Sequence, residues 1–473
     1  MHSKELKSIC IYSICLIVSI ITIVLGLPYI AAAIYMGVVV YLGYKNNLGT
    51  IIGFLVLAVF QNITLIVLSD YISPTYNTIF SLTKDCILCM ALLVGFIYLL
   101  KSKGMTSIIK ENVFFVSIFT LFALVVLKNA IVTPAGFMSI IVSIRQMTIP
   151  LICFLCGYLC KMAYEDKKKL IKAVIIISIA LTIFGIIEML LPENGLWEFI
   201  GLRDYLGKKI NGPTFYTKGV SPSFYTWDFG FCLRRLVSIT AEPLATAHLI
   251  FVGLALLICY GSSELKFSSK MIYYFCVVLL LAGCILGFSK GTFVYMGVLA
   301  VGLVYHKFFK NISMKAIAVI CSLLAVAGVG IVVALYLSTD GDTAIVRHIN
   351  GLLIGINNSS FLGYGIGIAG YANQAYTGAT VSNGESYIGV NLNQVGYLGV
   401  MLLVALWIKL FVSNVKKYLK CKELSKLFPV VLMIGMTVDM LLSESSVSII
   451  GTGIYFILLA IINKDSEKVN LSN

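Results

Sequence analysis

Residues 167–191 read KKKLIKAVIIISIALTIFGIIEMLL, with lysines crowded into the first two turns and then a long apolar run that holds one charge, Glu188. A helix needs about 20 mostly apolar residues to cross a bilayer, and lysines collect on the cytoplasmic side of a span. This stretch therefore predicts a membrane-crossing helix that starts in the cytoplasm. Runs of the same kind recur along the chain at 9–27, 29–43, 48–69, 76–99, 112–128, 136–160, 170–191, 236–260, 271–288, 291–309, 314–337, 386–413, 427–443 and 448–462. Several are short or abut a neighbour, 29–43 and 448–462 above all. The runs are compatible with eleven to fourteen crossings and point to an all-α polytopic fold of about 12–14 transmembrane helices. A transmembrane β-barrel would alternate polar and apolar residues in segments of about 10, and these runs are continuous.

Composition carries the same message. Of 473 residues, 59% are hydrophobic and 12% charged, with a mean hydropathy of +0.98. Soluble domains carry about 25% charged residues, so a soluble enzyme is excluded. With only 9 prolines, so is a collagen-like or disordered polymer. No repeat, low-complexity tract or soluble domain interrupts the chain, and residues 1–473 read as a single integral membrane domain.

With fourteen spans and the amino terminus inside, about two thirds of the 35 Lys and Arg fall on the cytoplasmic side, and every inner loop holds at least one Lys. Both termini are then cytoplasmic, in a multi-pass membrane protein. The net charge of +14 is a topology signal rather than a nucleic-acid footprint. The run 9–27 lacks a small-residue cleavage site and is followed by another apolar run, so it reads as an uncleaved first span. Nearly all of the 13 cysteines lie in spans or on the inner side, Cys232 excepted, which argues against a disulfide framework. Cys86/Cys89 and Cys153/Cys156/Cys160 read as small helix residues rather than metal ligands.

Two connections are long, 192–235 and 338–385, and both fall outside. Loops of that length are usually functional or disordered. The first interleaves Trp197, Phe215, Tyr216, Phe224, Tyr225 and Trp227 with Gly and Pro, which suits either a sugar-binding groove or simple anchoring at the interface. Six charges lie within spans: Lys84, Asp85, Arg145, Glu188, Glu242 and Asp439. All six map to the outer half of the membrane, which predicts a polar interior open to the outside; Lys84 and Asp85 also suit a structural pair. No duplicated halves of the transporter kind are visible.

Four segments carry the candidate chemistry. Arg145 lies in 139-SIIVSIRQMTIP-150, and 234-RRLVSITAEP-243 sits at an outer mouth. If that second stretch is helical, Arg235, Ser238 and Glu242 share a face, with Pro243 loosening the helix for a ligand. In 286-LGFSKGTF-293, Ser289 and Lys290 form a tight outer turn that opens the next helix, whose amino terminus favours a phosphate. The last segment runs from Arg347 and His348 through 363-GYGIG-367 to 384-GESYIGVNLNQVGYLG-399, with Glu385 at the lip of a span. Cations at a membrane lip suit a pyrophosphate leaving group, and a carboxylate beside them suits proton removal from a sugar hydroxyl.

The order of these segments over roughly 136–400 resembles the bacterial O-antigen ligase/polymerase superfamily, the Wzy-like polysaccharide polymerases and their ligase relatives. The matching features are Arg235 before the Ser-x-x-x-x-Pro of 238–243, the Ser289-Lys290-Gly291 turn, an outer-loop Arg347 before Gly-Tyr-Gly-x-Gly, and the Gly396 to Gly399 helix. Two features depart from the pattern. Lys290 stands where arginine is common, which keeps the charge and loses the fork. Glu385-Ser386 stands where ligases have a histidine, which favours a polymerase; His348 is a possible substitute base.

The resemblance implies a GT-C-like glycosyltransferase, without metal or cofactor, that polymerises oligosaccharide units carried on undecaprenyl pyrophosphate at the outer face. Arg235, Lys290 and Arg347, with Arg234, Ser289 and the deeper Arg145, would hold the pyrophosphate. Glu385 would act as base or orient the acceptor, and Glu242 would position Arg235. The implied partners are lipid-linked donor and acceptor, the bilayer, a flippase and a chain-length regulator, with no nucleic acid. A ligase that transfers finished glycan, and a flippase or exporter of lipid-linked sugars, are the alternatives.

Overall fold

A computed structural model of the chain describes residues 14–15, 17–191, 195–209, 220–226, 231–265, 267–309, 344–370 and 386–468. Their main helices are α1 (Pro28–Lys45), α2 (Leu48–Val67), α3 (Pro74–Lys103), α4 (Val113–Val132), α5 (Phe137–Leu159), α6 (Tyr164–Leu190), α7 (Pro243–Leu265), α8 (Lys270–Leu286), α9 (Lys290–Val304), α10 (Ala344–Asn358), α11 (Tyr387–Cys421), α12 (Leu424–Leu442) and α13 (Gly453–Lys468). Nine helices among the described residues are long and apolar enough to cross a membrane, and Lys270–Leu286 and Gly453–Asn463 are shorter apolar helices. The protein is an all-α, multi-pass membrane protein. The expected span 314–337, and residues 9–13 and 16 of the expected span 9–27, lie outside the described residues.

Burial runs opposite to that of a water-soluble protein. Met271, Ile131 and Ile176 are 77%, 74% and 65% exposed, whereas Lys84 and Glu188 are each 5% exposed and Asn129 is fully buried. Hydrocarbon solvates apolar side chains and penalises polar ones, which are driven inward onto partners.

The chain forms two compact units. The first contains residues 1–113, 148–293 and 448–473. Within it α6, α7 and α8 pack together, and Ser178 Oγ of α6 donates to the Leu249 carbonyl of α7 at 2.8 Å. Gly253 and Gly283 lie directly against Ser178 and Thr182, the small-residue contact by which membrane helices approach closely. The turn between α1 and α2 is closed by Asn47, whose side chain accepts from the Gly49 N–H at 3.0 Å. Its backbone N–H in turn donates to Thr50 Oγ at 3.1 Å, a reciprocal cap that satisfies the helix start.

The second unit contains residues 114–147 and 294–447. Here α11 packs on both α10 and α12. The expected span 386–413 continues to Cys421, so Lys416, Lys417 and Lys420 ride on its last turns rather than on a loop. It is broken at Gly396, whose φ is +72°. The described parts of the long connections contain regular structure. Residues 344–358 of the second form α10. The first holds short helices at Gly195–Phe199 and Leu202–Lys209 and a two-stranded antiparallel ribbon, β1 (Tyr225–Thr226) with β2 (Leu233–Arg234).

Candidate functional site

In the first unit, the segment between β2 and α7 corrects the expected helical face. Residues 234–242 are not helical: β2 ends at Arg234, a turn follows, and α7 begins only at Pro243. Ser238 and Ala241 have φ of +58° and +53°, values that no right-handed helix contains. Pro243 therefore opens a helix, where its fixed φ and missing N–H are harmless, instead of loosening one. The expected 236–260 span is shorter at that end for the same reason.

The turn is pinned at several atoms. Leu236 N–H donates to the Leu286 carbonyl at 2.9 Å, and Ser238 Oγ donates to the Leu181 carbonyl at 2.7 Å. Asn62 Nδ2 donates to the Thr240 carbonyl at 2.7 Å. The first of these bonds ties Leu236, the neighbour of Arg235, to the last residue of α8, four residues before Lys290. Arg235 is half-buried, with its N–H bonded to the Phe224 carbonyl at 2.8 Å. Lys290 is the first residue of α9 and is also half-buried. Ser289 is buried, and its Oγ accepts from the Thr292 N–H at 3.4 Å. That contact makes Ser289 a cap for the helix start. Glu242 lies half-buried at the end of the same turn.

Arg234 has a different environment from Arg235. Its guanidinium pairs with the buried carboxylate of Glu188 and lies 5.1 Å from the centre of the Phe224 ring. The same Glu188 oxygen accepts from Trp197 Nε1 at 2.6 Å. Glu188, Trp197 and Arg234 thus form one buried knot that ties the first long loop to the end of α6. Arg234, which the sequence offers as a pyrophosphate ligand, is paired in this structure with Glu188.

In the second unit the Gly-Tyr-Gly-Ile-Gly run is clamped to the break in α11. Tyr364 N–H donates to the Asn393 carbonyl at 3.0 Å, and Ile366 N–H donates to that of Asn129 at 3.1 Å. Gln394 bonds the loop twice: Oε1 accepts from the Gly367 N–H, and Nε2 donates to the Ala369 carbonyl, each at 3.2 Å. Thr133 and Ser139 hydroxyls donate to the carbonyls of Ile366 and Gly367, each at 2.7 Å. A Cβ on either Gly363 or Gly396 would collide with backbone of the opposing segment, so glycine is required at both. Irregular backbone at membrane depth survives only when buried and bonded in this way.

One carboxylate escaped the sequence reading. Glu444 stands on a short 3-10 turn after α12 and is 2% exposed, with its carboxylate directly against Gly370. The Gln146 side chain, next to half-buried Arg145, reaches the Glu444 carbonyl at 3.5 Å. Its only sequence signal is an acid in a short polar turn, which ordinarily marks solvent. Arg347 and His348 lie on α10, whose side chains there are not described, and Glu385 lies outside the described residues.

Searched against protein-family models and against curated proteins, the chain has no match in either.

Proposed function

We propose that this protein is a polymerase of oligosaccharide repeat units carried on undecaprenyl pyrophosphate, acting at the outer face of a bacterial cytoplasmic membrane. The observation that supports this reading best is the Leu236–Leu286 backbone hydrogen bond in the first unit, which joins the residue after Arg235 to the helix end four residues before Lys290. Two cations at the opening of a helix are suited to a diphosphate, binding its charge and stabilising the charge that grows as it leaves. The acceptor hydroxyl of one repeat unit attacks the anomeric carbon of the donor glycan. Its proton passes to a carboxylate, the carbon–oxygen bond to the carrier breaks, and the carrier departs as undecaprenyl pyrophosphate. In the first unit, Arg235 and Lys290 hold the diphosphate. Glu385 takes the proton or orients the acceptor, Glu242 positions Arg235, and Glu444 fixes the end of the glycine loop.

The test is the lipid-linked material that accumulates when Arg235 is replaced by Gln in cells. A polymerase deprived of its diphosphate clamp leaves single repeat units capping the carrier. Long chains still on the carrier would instead identify the ligase reading, and undiminished polymer would remove Arg235 from the site. An exporter predicts single units retained on the cytoplasmic side of the membrane.

A further inference from the structure

We propose that the cleft between residues 20–23, α1, α2 and α3 is a binding site for an acidic phospholipid, whose acyl chain occupies the cleft and whose headgroup is selected by Lys84. This inference does not depend on the glycosyl-transfer reading. The cleft has a volume of about 180 Å³ and is lined along α2 from Val56 to Leu68. An apolar cavity of about 150 Å³ holds a benzene molecule, so this one takes a short stretch of hydrocarbon chain and not a whole lipid. Ile20 and Phe60 line it and are 37% and 44% exposed. The cleft therefore borders the surface that lipid contacts, and its occupant comes from the bilayer.

Its walls are apolar except for a few side chains, and one of these is a buried cation. Lys84 is 5% exposed and donates to Gln61 Oε1 at 2.5 Å and to the Ser81 carbonyl at 2.9 Å. Both bonds hold the ammonium in the wall of the cleft. It stands five residues inside the apolar stretch Ile79–Ser102, about 7–8 Å along the helix from its end, and a lysine stem extends several ångströms further toward the interface. A positive charge at that depth beside a chain-sized apolar cleft is complementary to a lipid that carries a negative headgroup above its chains.

The experiment uses the full chain in nanodiscs of phosphatidylcholine doped with a diazirine-tailed phosphatidylglycerol or a diazirine-tailed phosphatidylcholine of equal chain length. Labelled peptides are then mapped by mass spectrometry. In the wild-type protein, labelling of 56–68 should be at least threefold greater with the acidic lipid. Lys84→Met should bring that ratio close to one while Lys84→Arg keeps it, and Thr64→Phe, which fills the cleft, should lower labelling by the acidic lipid to the level given by phosphatidylcholine. Equal labelling by the two lipids in the wild type, or an unchanged ratio in Lys84→Met, would overturn the proposal. If Lys84→Met does not fold, the wild-type ratio and the Thr64→Phe result decide the question alone.

Discussion

Replacing Glu188 by Ala should destabilise the first unit severely, and the size of the effect follows from what is left behind. Glu188 is buried and accepts from two donors, the Arg234 guanidinium and Trp197 Nε1. Removing one partner of a buried ion pair costs about 3–5 kcal/mol, chiefly because the other charge stays buried. The Arg234 side chain keeps 18% of its surface, so water recovers part of that and lowers the electrostatic share to about 2–3 kcal/mol. Trp197 is 1% exposed, and its orphaned N–H adds about 1 kcal/mol or more. The expected total is about 3–4 kcal/mol. Unfolding in detergent, followed by tryptophan fluorescence, measures it directly and should also show a red shift as Trp197 meets water. Glu188→Gln keeps an acceptor for Trp197 and should cost less. The double variant Glu188→Leu with Arg234→Met should cost less than the two single changes summed, with a coupling of about 2 kcal/mol. A loss below about 0.5 kcal/mol for Glu188→Ala, or strict additivity in the double variant, would refute the knot as a stabilising element.

Other substitutions follow from the same geometry. Gly396→Ala should cost about 3 kcal/mol or more, from strain at positive φ together with backbone collision, and should raise proteolysis of the 359–370 segment. Gln394→Leu removes both side-chain bonds to the glycine loop and leaves buried partners unsatisfied, at about 2–4 kcal/mol, read as faster hydrogen exchange at Gly367. Ser238→Gly preserves the positive φ and loses only the bond to Leu181, so thermal unfolding should show a loss near 1 kcal/mol. Ser238→Val adds β-branched strain at that φ and should cost distinctly more.

Much of the architecture was legible in the sequence because lipid leaves few options. A hydrocarbon solvent demands continuous apolar helices, and the runs at 136–160 and 271–288 match Phe137–Leu159 and Lys270–Leu286 closely. Hydropathy could not see the turn at 236–242, because its residues are as apolar as a helix and the decisive property is backbone geometry at Ser238 and Ala241. Gly396 was hidden for a related reason: a glycine inside an apolar run signals helix packing as readily as a break. The cationic residues were visible as residue types, whereas their division of labour was not. Adjacent arginines look equivalent in a string, yet Arg234 is claimed by Glu188 from a helix more than forty residues away. Glu444 was missed because a short acidic turn between spans normally faces water, and its burial against Gly370 shows that it does not.

The most direct measurement is product stoichiometry in proteoliposomes that contain the purified protein and a lipid-linked repeat unit. For the wild-type protein, each new sugar–sugar linkage should release one undecaprenyl pyrophosphate. The paired change Arg235→Gln with Lys290→Gln should abolish both linkage and release while the protein still folds. Polymer of normal length from the paired variant, or glycan moved across the membrane with no carrier released, would contradict the account.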